Sequence, residues 1–148
     1  HSKYPDIISF HLRDDQHQLP LSSHSNIDPN KKTIIIAEGF FDYMQTDLVG
    51  SILGQIKSFF SHTPVLVTTH FALNELSFHH RWSFKTGVKT VGEELKLHQN
   101  INEFQNLLAR SKFIIKKQFD HQSMAKELQQ ITGTELPILQ GFYLLMAK

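Results

Sequence analysis

"KKTIIIAEGFFDYM", residues 31–44, begins with two lysines, runs through the apolar stretch Ile34 to Ala37, and stops at Glu38-Gly39 before a group of aromatics. A run this short and β-branched suits a strand covered on both faces, as in a parallel sheet between helices. In open α/β sheets, ligands bind beyond the carboxyl ends of the strands. A carboxylate at such an edge accepts hydrogen bonds from a ligand amine or hydroxyl, or pairs with its positive charge. The glycine lets the backbone turn sharply and lets a ligand approach closely. Phe40, Phe41 and Tyr43 then offer an apolar wall. A plainer alternative stands beside this one: Glu38 caps the next helix and Gly39 only makes the turn.

Four further segments read as strands: Ile7 to Leu12, Pro64 to Thr69, Lys112 to Phe119 and Phe142 to Ala147. Between them lie helix signals. Thr46 or Asp47 can cap a helix reaching about Phe60, with Leu48, Ile52, Leu53, Ile56, Phe59 and Phe60 at spacings of three and four. Asn100 or Asn102 opens another, whose stripe Phe104, Leu107 and Leu108 belongs to the core. Gln122 to Ile131 is a third, with Met124, Leu128 and Ile131 together and Gly133 at the place of a C-cap glycine. Alternating strands and helices give an α/β class. Either of the last two strands can lie antiparallel at the sheet edge. Residues 77–98 fit the alternation poorly and read as an insertion or lid over one edge. Residues 14–32 are a long polar connection, of a length that is often functional.

The totals set bounds. The chain has 148 residues, 40% hydrophobic and 20% charged, as expected of one globular domain. With 15 basic and 14 acidic residues, the net charge of +1 predicts no general attraction to nucleic acid or anionic membrane. Cysteine is absent, which excludes disulfides and thiolate metal sites. No apolar run approaches the roughly 20 residues needed to cross a bilayer, and a cytoplasmic setting is the default expectation. His70, Glu75, His79 and His80 match no metal-site spacing, so no metal is expected. Arg81, Trp82, Phe84 and Lys85 are few for a basic-aromatic binding surface; a lid packed over the sheet edge suits them better. Lys112, Lys116 and Lys117 suit a solvated edge strand, where lysine discourages aggregation.

"TIIIAEGFFDYM" resembles the AEG-x-x-x-Y-[LM] segment of the leucine carboxyl methyltransferase family, which includes the polyketide-synthesis O-methyltransferases. Upstream, His11-Leu12-Arg13-Asp14 is similar to the family's D-L-R motif at the end of a strand. Asp28-Pro29 stands where the family has "DP" before the AEG strand, and "GFYLLMAK" looks like the last strand of many class I methyltransferases. The resemblance implies a Rossmann-like, seven-stranded class I sheet of which this chain holds the C-terminal portion, strands three to seven. It implies S-adenosylmethionine as cofactor, with Glu38, Gly39, Phe40 and Tyr43 near its methionine end and His11, Leu12 and Arg13 beside the adenine. His11 departs from the family's aspartate, though a neutral imidazole still offers one acceptor nitrogen. The family's glycine-rich loop has no counterpart, because no G-x-G occurs in the chain. The expectation is a single α/β domain over 1–148 that is the C-terminal part of a larger methyltransferase domain, inactive alone.

The implied reaction is direct methyl transfer to an oxygen, carboxylate or hydroxyl, of a small molecule or peptide. The protein mostly positions donor and acceptor. A hydroxyl acceptor is helped by a base, and His70, at the end of the third strand, is the candidate; a solvated loop histidine is the alternative. Two rival readings are a degenerate methyltransferase-like domain that only binds a partner, and an unrelated α/β domain. A partial sheet exposes apolar edges, which predicts a homodimer or dependence on a missing half.

Overall fold

The computed structural model describes residues 18–90 and 95–148. The expected first strand lies outside them, and with it His11, Leu12 and Arg13. The described elements are β1 (Ile34–Ala37), α1 (Thr46–Phe59), β2 (Val65–Phe71), α2 (Phe78–Thr90), α3 (Ile101–Arg110), β3 (Ile115–Phe119), α4 (His121–Thr132) and β4 (Phe142–Ala147). The strands form one sheet in the order β1-β2-β4-β3. β1 and β2 are parallel, with Ile35 beside Leu66. β4 runs antiparallel to both of its neighbours. The last two strands therefore occupy one end of the sheet, β3 on the edge and β4 inside it.

Local chemistry accounts for the helix boundaries. Asn100 accepts from the Glu103 backbone N–H while the Glu103 side chain accepts from that of Asn100, a reciprocal capping box that starts α3. Asp120 and Ser123 do the same for α4, which ends at Gly133 in the left-handed conformation at φ 72°. α1 departs from expectation. Gln45 precedes it without a side-chain cap bond, so neither Thr46 nor Asp47 is the cap. Its stability comes from packing, since Leu48, Val49, Ile52, Leu53 and Ile56 are all buried.

The core lies on one face of the sheet. There α1 and α3 meet Ala37, Leu66, Leu145 and Ala147, and Leu97 and Phe113 close the sides. Fully burying a side chain such as Leu53 or Leu108 contributes about 1.5–3 kcal/mol. A smaller cluster, Phe71, Leu73, Leu76 and Leu95, sits at the carboxyl end of β2, where Phe84 of α2 packs against Phe71 at 4.5 Å. α2 thus fills the stretch expected to be an insertion, and Phe84 belongs to packing rather than to a surface.

The expectation that β1 is covered on both faces is not met. Ile34 and Ile36 are 68% and 74% exposed, because among the described residues the second face is covered only toward β2 and β4, by Met124 of α4 and by Phe84 of α2 against Phe71. Among the described residues β1 also pairs on one side only. On α4 only Met124 is buried, and Ile131 points outward at 78% exposure. No helix among the described residues is long and apolar enough to cross a membrane.

Candidate functional site

β1 delivers Glu38 to the carboxyl edge of the sheet, and Gly39 turns the chain away at φ 59°. The Gly39 N–H donates to Thr69 Oγ1 at 2.7 Å, which ties the turn to β2. Thr68 donates its hydroxyl to the Ala37 carbonyl at 3.1 Å. The two threonines hold the end of β1 on opposite faces of the sheet, since successive residues of a strand alternate. Glu38 does not cap the following helix, because α1 starts only at Thr46. Its carboxylate is exposed and forms no hydrogen bond or ion pair among the described residues. Beside it lies a cavity of about 180 Å³, bounded by Ile36, Val67, Thr69, Met124 and Leu144. An anionic rim on an apolar hollow suits a ligand with a cationic or hydroxyl head and an apolar body.

The aromatics divide. Phe40 and Tyr43 are 37% and 39% exposed and border this edge, whereas Phe41 is 1% exposed and belongs to the core. Phe40 meets Phe41 edge-on at 5.4 Å. Of the three rings expected to form an apolar wall, Phe41 is taken up by the core.

His70 is not placed as a base. Its side chain lies on the covered face of β2, fully buried and stacked on Phe104 at 4.3 Å. Nδ1 lies 2.9 Å from Asp42 Oδ1 and Nε2 lies 3.0 Å from the Gln99 carbonyl. Both partners offer oxygens, so whichever ring nitrogen carries hydrogen has an acceptor within reach. Neither nitrogen faces a cavity or solvent, which also excludes the solvated-loop alternative. Asp42 Oδ1 further accepts from the Phe71 N–H at 3.2 Å, and the Asp42 carbonyl accepts from the N–H groups of Lys96 and Leu97 at 2.9 and 3.1 Å. This network ties the turn after Glu38 to the end of β2 and to residues 96–99. Asp42 was the residue that sequence reasoning missed. Its signal is an acid set between aromatics just past a strand end.

Glu75 also has a structural partner. Tyr143 donates to Glu75 Oε2 at 2.5 Å. Burial, then the hydrogen bond and charge of Glu75, push the Tyr143 phenol up to about 12. A phenol raised in the folded state contributes stability that is complete below pH 10 and is lost between about pH 10 and 12. An absorbance titration at the phenolate band is expected to show Tyr143 ionising later than an ordinary tyrosine, and Glu75→Gln should bring it down.

Described as "Structure of the Pyocyanin Biosynthetic Protein PhzM", one structure matches at a TM-score of 0.51 and 12% identity, over 80% of this chain and 31% of that one. The likeness is one of fold: a mixed α/β sheet, partly parallel and partly antiparallel. A second structure, "Crystal Structure Analysis of LaPhzM", aligns at a TM-score of 0.49 and 16% identity, over 82% of this chain and 31% of that one. The chain thus spans about a third of the length of these structures. No family model matches the sequence, and no curated protein matches it either.

Proposed function

We propose that this chain is the C-terminal part of an S-adenosylmethionine-dependent O-methyltransferase related to the leucine carboxyl methyltransferases. The observation that carries the reading is Glu38: a carboxylate without a partner among the described residues, beside a left-handed glycine turn, at the carboxyl edge of the parallel pair β1 and β2. The donor set fits the cofactor. Glu38 would hold its cationic or hydroxyl-bearing portion, and the hollow beside Val67, Thr69 and Leu144 would take an apolar portion. When bound, the cofactor supplies an activated sulfonium methyl. The chain's residues would position the reactants and exclude water, with the exposed rings of Phe40 and Tyr43, next along the chain, as candidates to close over the cofactor.

The engagement of His70 bears on the acceptor. No histidine lines the hollow beside Glu38. A carboxylate acceptor needs no base, whereas a hydroxyl is helped by one. The reading therefore favours a carboxylate, on a small molecule or peptide, over a hydroxyl.

Calorimetric titration of S-adenosylhomocysteine tests the proposal. The chain alone and the protein extended on its amino side are compared. Saturable binding by the extended protein is expected, weakened about tenfold or more in Glu38→Gln through loss of one charge-assisted contact. The exposure of Glu38 predicts an unchanged thermal midpoint for that variant. A folded extended protein that binds none of the ligand would leave the non-catalytic, partner-binding reading in place of the enzyme.

A further inference from the structure

A second concentration of charge lies at the other end of the sheet, below the amino ends of β1 and β2. Lys57 stands in the last turn of α1, Lys112 between α3 and β3, and Lys148 just past β4. Burial lowers the Lys57 ammonium below its ordinary range, and the charges of Lys112 and Lys148 lower it further. Lys148 and Ile114 exchange backbone hydrogen bonds, both at 2.9 Å, which sets Lys148 beside Phe113 and Lys112. Lys57 Nζ rests 4.9 Å from the centre of the Phe113 ring. Lys148 also lines an open cavity of about 530 Å³ together with Lys32, His62, Ser61 and Thr63.

Among the described residues no acidic side chain pairs with this group. Lys32, Lys57, Lys112 and Lys148 form no ion pair among the described residues. Residues 48–74 and 104–119 contain no aspartate or glutamate at all. Asp28 lies across an adjoining cavity with Lys31 and Lys32, where its Oδ1 accepts from the Asn30 N–H at 2.9 Å.

Lys112 adds an independent observation. It adopts φ 63°, the sole non-glycine residue at positive φ among the described residues. It closes α3 in a Schellman turn, donating its N–H to the Ala109 carbonyl while Phe113 donates to that of Leu108, both at 2.9 Å. Glycine takes that place at little cost, and Gly133 does so at the end of α4. A cation in the last helical turn is favoured by the helix dipole, and Arg110 already supplies one. The dipole does not account for a lysine in the strained position itself, and strain of this kind gathers at functional sites.

We propose that Lys57, Lys112 and Lys148, bordered by Lys32 and His62, form a binding site for a multiply charged phosphate ligand. Such a ligand relieves the repulsion among three neighbouring ammonium groups and accepts their hydrogen bonds. Thr63 adds a hydroxyl donor, since those of Ser61 and Thr33 already donate to Asn30 Oδ1 and the Lys31 carbonyl. The site lies apart from Glu38 and does not depend on the methyltransferase reading.

The test is a calorimetric titration of inorganic tripolyphosphate into the protein at fixed ionic strength. One-site saturable binding is expected, weakened about tenfold in Lys148→Gln and in Lys112→Gly. Lys112→Gly should keep a thermal midpoint no lower than the original, since it relieves the left-handed lysine. Absence of saturable heat would overturn the proposal. So would Lys112→Gly that binds undiminished, or an equal loss in Lys116→Gln on the edge strand, which would indicate a diffuse charge effect. Vesicles of phosphatidylcholine with phosphatidic acid separate the sources. Cosedimentation competed by tripolyphosphate assigns a lipid headgroup; tripolyphosphate binding without cosedimentation assigns a soluble ligand.

Discussion

Replacing His70 with alanine is expected to lower the unfolding free energy by about 2–5 kcal/mol, because it leaves two buried acceptors without their hydrogen-bond partner. The loss comes chiefly from what stays behind. Asp42 is 4% exposed and keeps only the Phe71 N–H at 3.2 Å as a donor to its carboxylate. The Gln99 carbonyl loses its partner at the same time. His70→Gln should recover part of the loss, because an amide can donate to one of the two acceptors. The double variant His70→Ala with Asp42→Ala should fall well short of the sum of the singles, since removing both partners removes the stranded charge. Urea unfolding of the four proteins measures this. A loss below about 1 kcal/mol for His70→Ala, the level of an exposed pair, would show that the pair is not buried as described. The same network ties the turn after Glu38 to β2, so its loss should also loosen the candidate site.

Phe104→Ala should cost about 3–5 kcal/mol, the range for large-to-small replacement of a buried aromatic. The ring is 0% exposed, stacked on His70 at 4.3 Å and 6.5 Å from the Phe41 ring. It is the point at which α3 is fixed to the sheet. Phe104→Leu keeps most of the volume and should cost less than about 1.5 kcal/mol from packing, plus the stack. The comparison separates the cavity from the ring contact. Phe104→Ala and His70→Ala should not be additive, because each removes the other's neighbour. Additivity within about 0.5 kcal/mol would mean that the stack contributes nothing.

Glu38-Gly39 was the feature most legible in the sequence, because a strand end followed by an acid and a glycine has a local signature. What became of its neighbours was not legible. Phe40 and Phe41 are adjacent and chemically identical, yet one borders the site and the other lies in the core. His70 ends a strand, as a reacting group would, but the pleat directs it to the covered face. Asp42 and His70 are 28 residues apart, and their pairing depends on β1 and β2 being neighbours.

What the sequence by itself determined was local. Apolar periodicity marked β1, β2, β4, α1 and α3, and Gly133 marked the end of α4, because each signal resides in a few consecutive residues. The tertiary structure alone decided which surfaces those elements share. β4 is inserted between β2 and β3, a long-range pairing that no short stretch encodes. Ile34 and Ile36 read as core residues and stand exposed, since covering a face requires another element to lie on it. Lys57, Lys112 and Lys148 are scattered along the chain, and a net charge of +1 conceals them. They meet because α1, α3 and β4 all end on one side of the sheet, and chain reversals place charges together regardless of their distance in sequence.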